Sequence, residues 1–244
     1  MPFRRTSVRA SKGSGFYLPK AFRVTGSRST GSPTDPNFSS VSLLLHMDGS
    51  NGSTTFTDSS TNALTMTSTA VVTTAQYKFG TGSADFQSGS KVIETPASSL
   101  FNFPGDFTVE MWARWSTTAG AIFYRTLFTL GNYTDGILFR DDQMYVNNNV
   151  VASNLGLDDD NNWHHYAVAR SGSSLKAFKD GTAFATATTS ATINSGSASM
   201  QLGRSQHATG SEYWIGQIDD LRITKGVARY TANFTPPTAA FPDS

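Results

Sequence analysis

The chain has 244 residues, a formal net charge of +1, no cysteine and only 15% charged residues. Without cysteine there is no disulfide framework, thiolate zinc site or Cys nucleophile, and no stretch of about 18 apolar residues offers a membrane-spanning helix. Aromatic residues at 12% can fill a large core, which excludes a globally disordered chain and fits one domain of about 200 residues plus an appendage.

The near-zero charge conceals a division. Residues 1–40 hold seven bases (Arg4, Arg5, Arg9, Lys12, Lys20, Arg23 and Arg28) against one acid, Asp35, a balance of +6. The remaining residues carry twelve bases and seventeen acids, a balance of −5. The first forty residues are rich in Gly, Ser and Pro and show no sustained apolar period, so they are expected to form an extended arm. Phe3, Phe16, Tyr17 and Phe22 stand in it as isolated anchors. No apolar stretch follows the first arginines, which argues against a secretory signal, and Gly13, Gly15, Pro19 and Gly26 argue against the amphipathic helix of a transit peptide. Positive charge alone would suit phosphate contacts, but no folded nucleic-acid motif is present. The preferred expectation is an assembly arm that docks on protein neighbours through Arg4, Arg5, Arg9, Phe16, Tyr17, Phe22 and Arg23, using extended backbone and side-chain pockets.

From residue 41 the pattern changes to short apolar or alternating runs broken by turn residues. Val41–Met47 ends at Asp48-Gly49-Ser50-Asn51-Gly52. Ser83–Phe86 and Lys91–Thr95 flank a polar turn. In Phe107–Trp115 the residues Phe107, Val109, Met111, Ala113 and Trp115 share one face. Thr126–Leu130, Ile137–Arg140 and Met144–Val146 follow, then Trp163–Arg170 and Leu175–Lys179. Asp180-Gly181 before Thr182–Ala185 is the strongest hairpin signal, since a type I′ turn needs φ > 0 at both central residues. Met200–Leu202 and Trp214–Thr224 complete the series. The one helix candidate is a turn near Gly226–Tyr230, and the prolines of Phe234-Thr-Pro-Pro237 and Phe241-Pro242 forbid a central strand. About a dozen short strands with turn signals every 8–12 residues predict an all-β, two-sheet antiparallel sandwich over residues 41–225. Residues 226–244 are expected to lie on its surface. Trp112, Trp115, Trp163 and Trp214 are all assigned to the core, because aromatics dominate cores by area.

These runs carry a resemblance. Leu44-Leu-His-Met-Asp48-Gly49, Phe56-Thr-Asp58-Ser59-Ser60, Lys78-Phe79-Gly80 with Ala84-Asp85-Phe86, and Asp106-Phe-Thr-Val-Glu-Met-Trp112 occur in order. Asn162-Trp-His-His-Tyr-Ala-Val168, Leu175–Gly181, Leu202-Gly203 and Gly216-Gln-Ile-Asp-Asp-Leu-Arg-Ile223 follow. Together they resemble the laminin-G-like, concanavalin A-like lectin jelly rolls over about residues 41–224. The ending, Asp219 to Pro237, resembles such domains in tailed-phage virion proteins. The fold serves lectins, adhesion modules, enzymes and capsid proteins, so function must be argued from sites.

Catalytic equipment is sparse. Glycoside hydrolases need two carboxylates roughly 5–10 Å apart, and the jelly-roll enzymes that the chain resembles carry Glu-x-Asp-x-x-Glu on one strand. Only Glu94, Glu110 and Glu212 exist here, and Glu110 has no acidic partner at i+2 or i+4. Adjacent strand residues point to opposite faces, so Asp219-Asp220 cannot act as a pair, nor can His164-His165 chelate a metal together. One of those histidines is expected buried and hydrogen-bonded, the other at the surface. His46 and His207 stand isolated. No catalytic residue is assigned.

The resemblance implies that calcium is the ion to consider, and calcium wants six to eight oxygens. Asp158-Asp159-Asp160-Asn161-Asn162 and Asp141-Asp142 are the candidate ligands, with Asp48 as an outlier, though the spacing of an EF-hand is missing. A sugar would be taken by loop residues such as Tyr133, Asn147, Asn149 and Tyr213. The four Asn-x-Ser/Thr sequons are expected to be incidental. The expectation is a non-enzymatic phage virion protein, a capsid decoration or tail-attached protein on the particle surface. It would display a lectin-like jelly roll in many copies and bind host glycans. A free carbohydrate-binding or adhesion module is the competing reading, and a glycoside hydrolase the distant one.

Overall fold

The structure is a computed structural model that describes residues 34–87, 90–115, 125–132, 134–140, 143–153, 155, 160–206 and 212–244. The anchor residues Arg4, Arg5, Arg9, Phe16, Tyr17, Phe22 and Arg23 lie outside the described residues.

The strands are β1 (Val41–Leu45), β2 (Thr67–Ser68), β3 (Val71–Thr73), β4 (Ser83–Asp85), β5 (Ile93–Glu94), β6 (Phe107–Trp115), β7 (Thr126–Gly131), β8 (Gly136–Arg140), β9 (Gln143–Val146), β10 (Asn149–Ser153), β11 (Trp163–Ser171), β12 (Ser174–Lys179), β13 (Thr182–Thr188), β14 (Met200–Leu202) and β15 (Gly216–Lys225). An eight-stranded sheet runs β13-β12-β11-β6-β15-β4-β3, with β1 also pairing to β15. A seven-stranded sheet runs β10-β9-β8-β7-β14-β5-β2. Every pairing is antiparallel. The predicted two-sheet jelly-roll sandwich is therefore the observed one.

The alternation predicted on β6 decides which face is core. Phe107, Val109, Met111, Ala113 and Trp115 join one cluster with Phe128, Phe139, Met144, Leu202 and Ile223 from both sheets. Trp115 and Trp214 meet there edge to face at 5.4 Å. Trp112 is buried as expected, but not between the sheets. It alternates to the outer face, where Phe79 packs edge-on and Lys78 Nζ lies 3.8 Å over its ring. Trp163 is only half-buried at the start of β11.

Arg170 is a buried staple: its guanidinium donates to the carbonyls of Phe103, Gly105 and Ala191, reinforcing the isolated bridge between Phe103 and Ile193. The Asp180-Gly181 turn has φ of +48° and +77°, as the hairpin signal required. A Cβ at Gly181 would also overlap the Phe234 carbonyl, so glycine serves both the turn and the chain passing over it.

The helical turn expected near Gly226–Tyr230 is absent. Local hydrogen bonding is taken instead by β6: Thr108 Oγ1 donates to the Val227 carbonyl and accepts the Arg229 amide, which holds the chain extended. Residues 226–244 then cross the outer face of the eight-stranded sheet. Tyr230 and Phe234 stack at 3.5 Å over Phe178 and His165. Phe241 enters a small cluster with Val41, Leu44 and Phe38. Residues 34–40, grouped with the arm by composition, belong to this packing, and the Asp35 amide donates to the Ser244 carbonyl at 2.6 Å.

Candidate functional site

The outer face of the eight-stranded sheet holds the acidic residues that a search for catalysis would choose, and it uses them structurally. Glu110 on β6 and Arg222 on β15 are register partners. Arg222 Nε and Nη2 both donate to Glu110 Oε1, at 3.0 and 2.8 Å, and Tyr230 Oη donates to Oε2 at 2.7 Å. Arg222 also reaches Asp35 at 3.1 Å, and Arg229 binds Asp35 through two nitrogens at 3.0 and 2.6 Å. His165 Nε2 lies 3.3 Å from Glu110 Oε2, an ion-pair distance without hydrogen-bond geometry. His165 is the buried histidine of the pair, with its ring edge-on to Tyr230 and Phe234. Burial alone would raise the Glu110 carboxyl. His165, Arg222 and Tyr230 outweigh it and hold the group at about 2. A carboxylate so committed has no lone pair aimed at a substrate.

Asp219 and Asp220 sit at a bulge where β15 shifts register against β6. Asp220 has φ +46° and is the extra residue, so the opposite-face rule fails and neither carboxylate enters the core. Asp220 accepts the Phe241 amide and lies 2.7 Å from His46 Nδ1, whose Nε2 reaches Asp243 at 2.6 Å. His46, isolated in sequence, clamps the end of the chain. Burial disfavours its charge, but Asp220 and Asp243 raise it from 6.5 to about 9. The clamp's stabilisation is complete below pH 6.5 and is lost as pH rises through about 9.

Asp219 is different. Its Oδ2 accepts the Lys78 and Phe79 amides at 2.6 and 3.0 Å, while Oδ1 is buried without a partner among the described residues. Burial pushes its carboxyl from 3.8 to about 7 despite those amides. The folded state therefore holds this proton more tightly than the unfolded chain. Its contribution is present below about pH 3.8 and is lost as pH rises through about 7. Asp219→Asn keeps an acceptor for the two amides without the charge. In urea unfolding, the variant should match the parent near pH 4 and exceed it by about 2–4 kcal/mol at pH 8. Equal stability at pH 8 would refute the assignment.

The outer face of the seven-stranded sheet carries a different surface. Cross-strand pairing aligns Val150, Tyr145, Leu138, Thr129, Gln201, Glu94 and Thr67 in one row over all seven strands. Their neighbours Phe139, Met144, Val146, Met200, Leu202 and Ile93 face the core, so the row lies on the side away from it, with Leu138 and Thr129 buried there and Thr129 Oγ1 donating to the Arg204 carbonyl. Beside it, Arg140 donates to Glu212 Oε1 at 3.0 Å and Tyr145 Oη at 3.1 Å. Arg204 bridges to Tyr213, its guanidinium 6.0 Å over that ring. Gln201 Oε1, Glu212 Oε2 and Arg204 Nε are buried without hydrogen-bond partners among the described residues. Each such atom costs about 1–3 kcal/mol unless a water or ligand satisfies it. Phenol rings beside amide, guanidinium and carboxylate groups suit a molecule with an apolar face and many hydroxyls.

The residues expected at a sugar site are dispersed or consumed. Tyr213 adjoins the row. Asn147 is spent on structure, accepting the Gly136 amide and donating to the Thr192 carbonyl. Asn149 donates to the Asn147 carbonyl at the head of β10. Tyr133 lies outside the described residues. Tyr145, Gln201 and Arg204 were missed, because only the register brings them beside Tyr213.

The calcium candidates are similarly divided. Asp158 and Asp159 lie outside the described residues. Asp160 accepts the Asn162 amide and side chain and contacts His164 Nε2 at 3.1 Å, which together lower it to about 2. His164 Nδ1 in turn meets Asp180 at 2.6 Å. Asp48 binds the Thr81 and Gly82 amides. Asp141 and Asp142 also lie outside the described residues, and among the described residues no group of three or more His, Cys, Asp or Glu could hold a metal ion.

Fold and surface together define a lectin-like jelly-roll domain. The family model for the concanavalin A-like lectin/glucanases superfamily matches residues 86–229, well over half of the chain, which therefore belongs to that family. No curated protein sequence matches. Among solved structures, domain 4 of AbnA, an extracellular GH43 arabinanase from Geobacillus stearothermophilus solved with arabinotriose, is similar at 17% identity and TM-score 0.54, covering 77% of this chain and 93% of that one. The binding domain of Paraclostridial Mosquitocidal Protein 1 is similar at 12% identity and TM-score 0.57, covering 84% and 50%. The receptor-binding domain of botulinum neurotoxin D is similar at 14% identity and TM-score 0.57, covering 78% and 50%. The chain thus spans about half the length of the two toxin domains.

Proposed function

We propose that this protein is a non-catalytic display module that binds saccharide on the outer face of its seven-stranded sheet. The observation that carries this reading is the row through Tyr145 and Gln201, with Gln201, Glu212 and Arg204 holding buried polar atoms that lack partners among the described residues. AbnA domain 4, similar in fold, was solved with arabinotriose, which agrees with a sugar ligand. All three glutamates are engaged: Glu110 with Arg222, Glu212 with Arg140, and Glu94 with the Ser199 hydroxyl. That supports binding without hydrolysis.

A glycan array tests the proposal. A ligand found there should lose at least ten-fold in affinity with Tyr145→Ala or Gln201→Ala, and Thr55→Ala should change nothing. If no glycan binds, or if both variants bind as the parent does, the sheet face is not the site.

The location is proposed as the surface of a tailed-phage particle, with the basic arm docked on capsid or tail proteins. The charge division and the resemblance of residues 219–237 support it. Replacing Phe16, Tyr17 and Phe22 together by Ala should abolish incorporation into particles, measured by mass spectrometry of purified virions. Undiminished incorporation would refute the anchoring role.

A further inference from the structure

The two sheets end very differently. One side finishes with β2 and β3, of two and three residues, too short to template another chain. The other side finishes with β10 and β13, which lie against each other and run for five and seven residues. Neither Asn149–Ser153 nor Thr182–Thr188 contains a charge or a proline. Val150 on β10 is 47% exposed, an unusual aliphatic exposure in this chain. Edge strands of monomers are normally blunted by brevity, charge, proline or bulges, and each of these two carries one bulge, that of β10 at Val151. A bulge interrupts the first half of β13, where Asn233 Oδ1 already accepts the Ala183 amide. Beyond it the strand is regular.

The outward groups of that regular part can be identified. The Thr189 amide donates to the Ser173 carbonyl of the neighbouring turn. By the two-residue alternation of an antiparallel ladder, the amide and carbonyl groups of Thr186 and Thr188 point away from β12. At its centre, Ala185-Thr186-Ala187 reads the same in both directions. With a two-fold axis at Thr186, an antiparallel second copy sets Thr186 against Thr186, Ala185 against Ala187, and Phe184 against Thr188. These are small, β-branched and aromatic pairs that favour cross-strand association, with no like charges opposed.

We infer that Phe184–Thr188 is a self-association edge, on which a second copy of this chain pairs antiparallel about Thr186 to join two eight-stranded sheets into one. A single patch meeting itself gives a closed, isologous dimer. The inference extends the multi-copy display of the proposed function. Its readout, the mass in solution, is independent of glycan binding and of particle incorporation.

The full chain, examined by sedimentation at tens of micromolar, is expected to be a dimer. Thr186→Lys places two ammonium groups against each other and should give a monomer that still unfolds cooperatively, with a thermal midpoint independent of protein concentration. The chain has no cysteine, so Thr186→Cys supplies one thiol at the axis. Opposed Cα atoms of a hydrogen-bonded pair lie about 5.5 Å apart, within disulfide reach. Mild oxidation should link that variant at least ten-fold faster than Thr55→Cys, a surface control. A monomeric parent, a dimer that survives Thr186→Lys, or equal cross-linking of the two cysteine variants would overturn the inference. Should Thr186→Lys not fold, the cross-linking rates decide alone.

Discussion

Glu110→Ala is expected to lower the free energy of unfolding by about 3–5 kcal/mol, because it leaves the Arg222 guanidinium buried with half its partners. For a chain of this size that corresponds to a fall in thermal midpoint of roughly 10 °C or more. The Tyr230 hydroxyl would lose its acceptor and His165 the carboxylate beside it, so residues 226–244 should loosen with it. Glu110→Gln, which preserves shape and one acceptor, should cost less. The acid limb of the stability curve carries a second signature. With the folded carboxyl at about 2 against 4.5 unfolded, its stabilisation is complete above pH 4.5 and is lost as pH falls through about 2. The Gln variant should flatten that limb. A thermal midpoint within 2 °C of the parent for Glu110→Ala, on the same size scaling, would show that the network contributes little.

Asp35→Ala should cost about 2–3 kcal/mol, less than Glu110→Ala. Arg222 keeps Glu110, and Arg229 Nε remains 3.8 Å from Glu110 Oε1. The two substitutions share Arg222, so their effects should not add, and a double-mutant cycle should return a coupling of about 0.5–3 kcal/mol. Hydrogen exchange should report where the loss falls. Amides of residues 34–45 and 226–244 should exchange faster, while those of β7 and β8 should not. Uniform acceleration would place Asp35 in the global fold and not at a local lock. The position matters for anchoring. Asp35 ties the chain just after the basic arm to β15, the strand that pairs with β1, β4 and β6. A pull on the arm in the proposed tether is thereby delivered to the centre of a sheet and not to its edge.

The strands were legible because their signals are local. Alternation in Phe107–Trp115 and the Asp180-Gly181 turn need only a few consecutive residues to be seen. β2, β3 and β10 escaped because they are short or begin with asparagine, and their pairing is set by neighbours far along the chain. The charged residues were misjudged for the same reason. Glu110 looked alone because spacing rules examine i+2 and i+4, whereas its partner lies 112 residues away. His46 looked isolated and is held at both ring nitrogens by aspartates 174 and 197 residues distant. A single bulge reversed the inference about Asp219 and Asp220, since one added residue exchanges the faces that the two-residue period assigns.

By itself, the sequence determined an all-β sandwich, the core face of its central strand, the scarcity of catalytic groups and the division between basic arm and acidic body. These follow from local periodicity and composition. Only the tertiary structure decided that the acidic residues of one face form a buried lock, that Tyr145 and Gln201 share a row with Thr129, and that one flank of the sandwich ends in two strands without charge or proline. Those are matters of register, and register is fixed by contacts between strands distant in sequence.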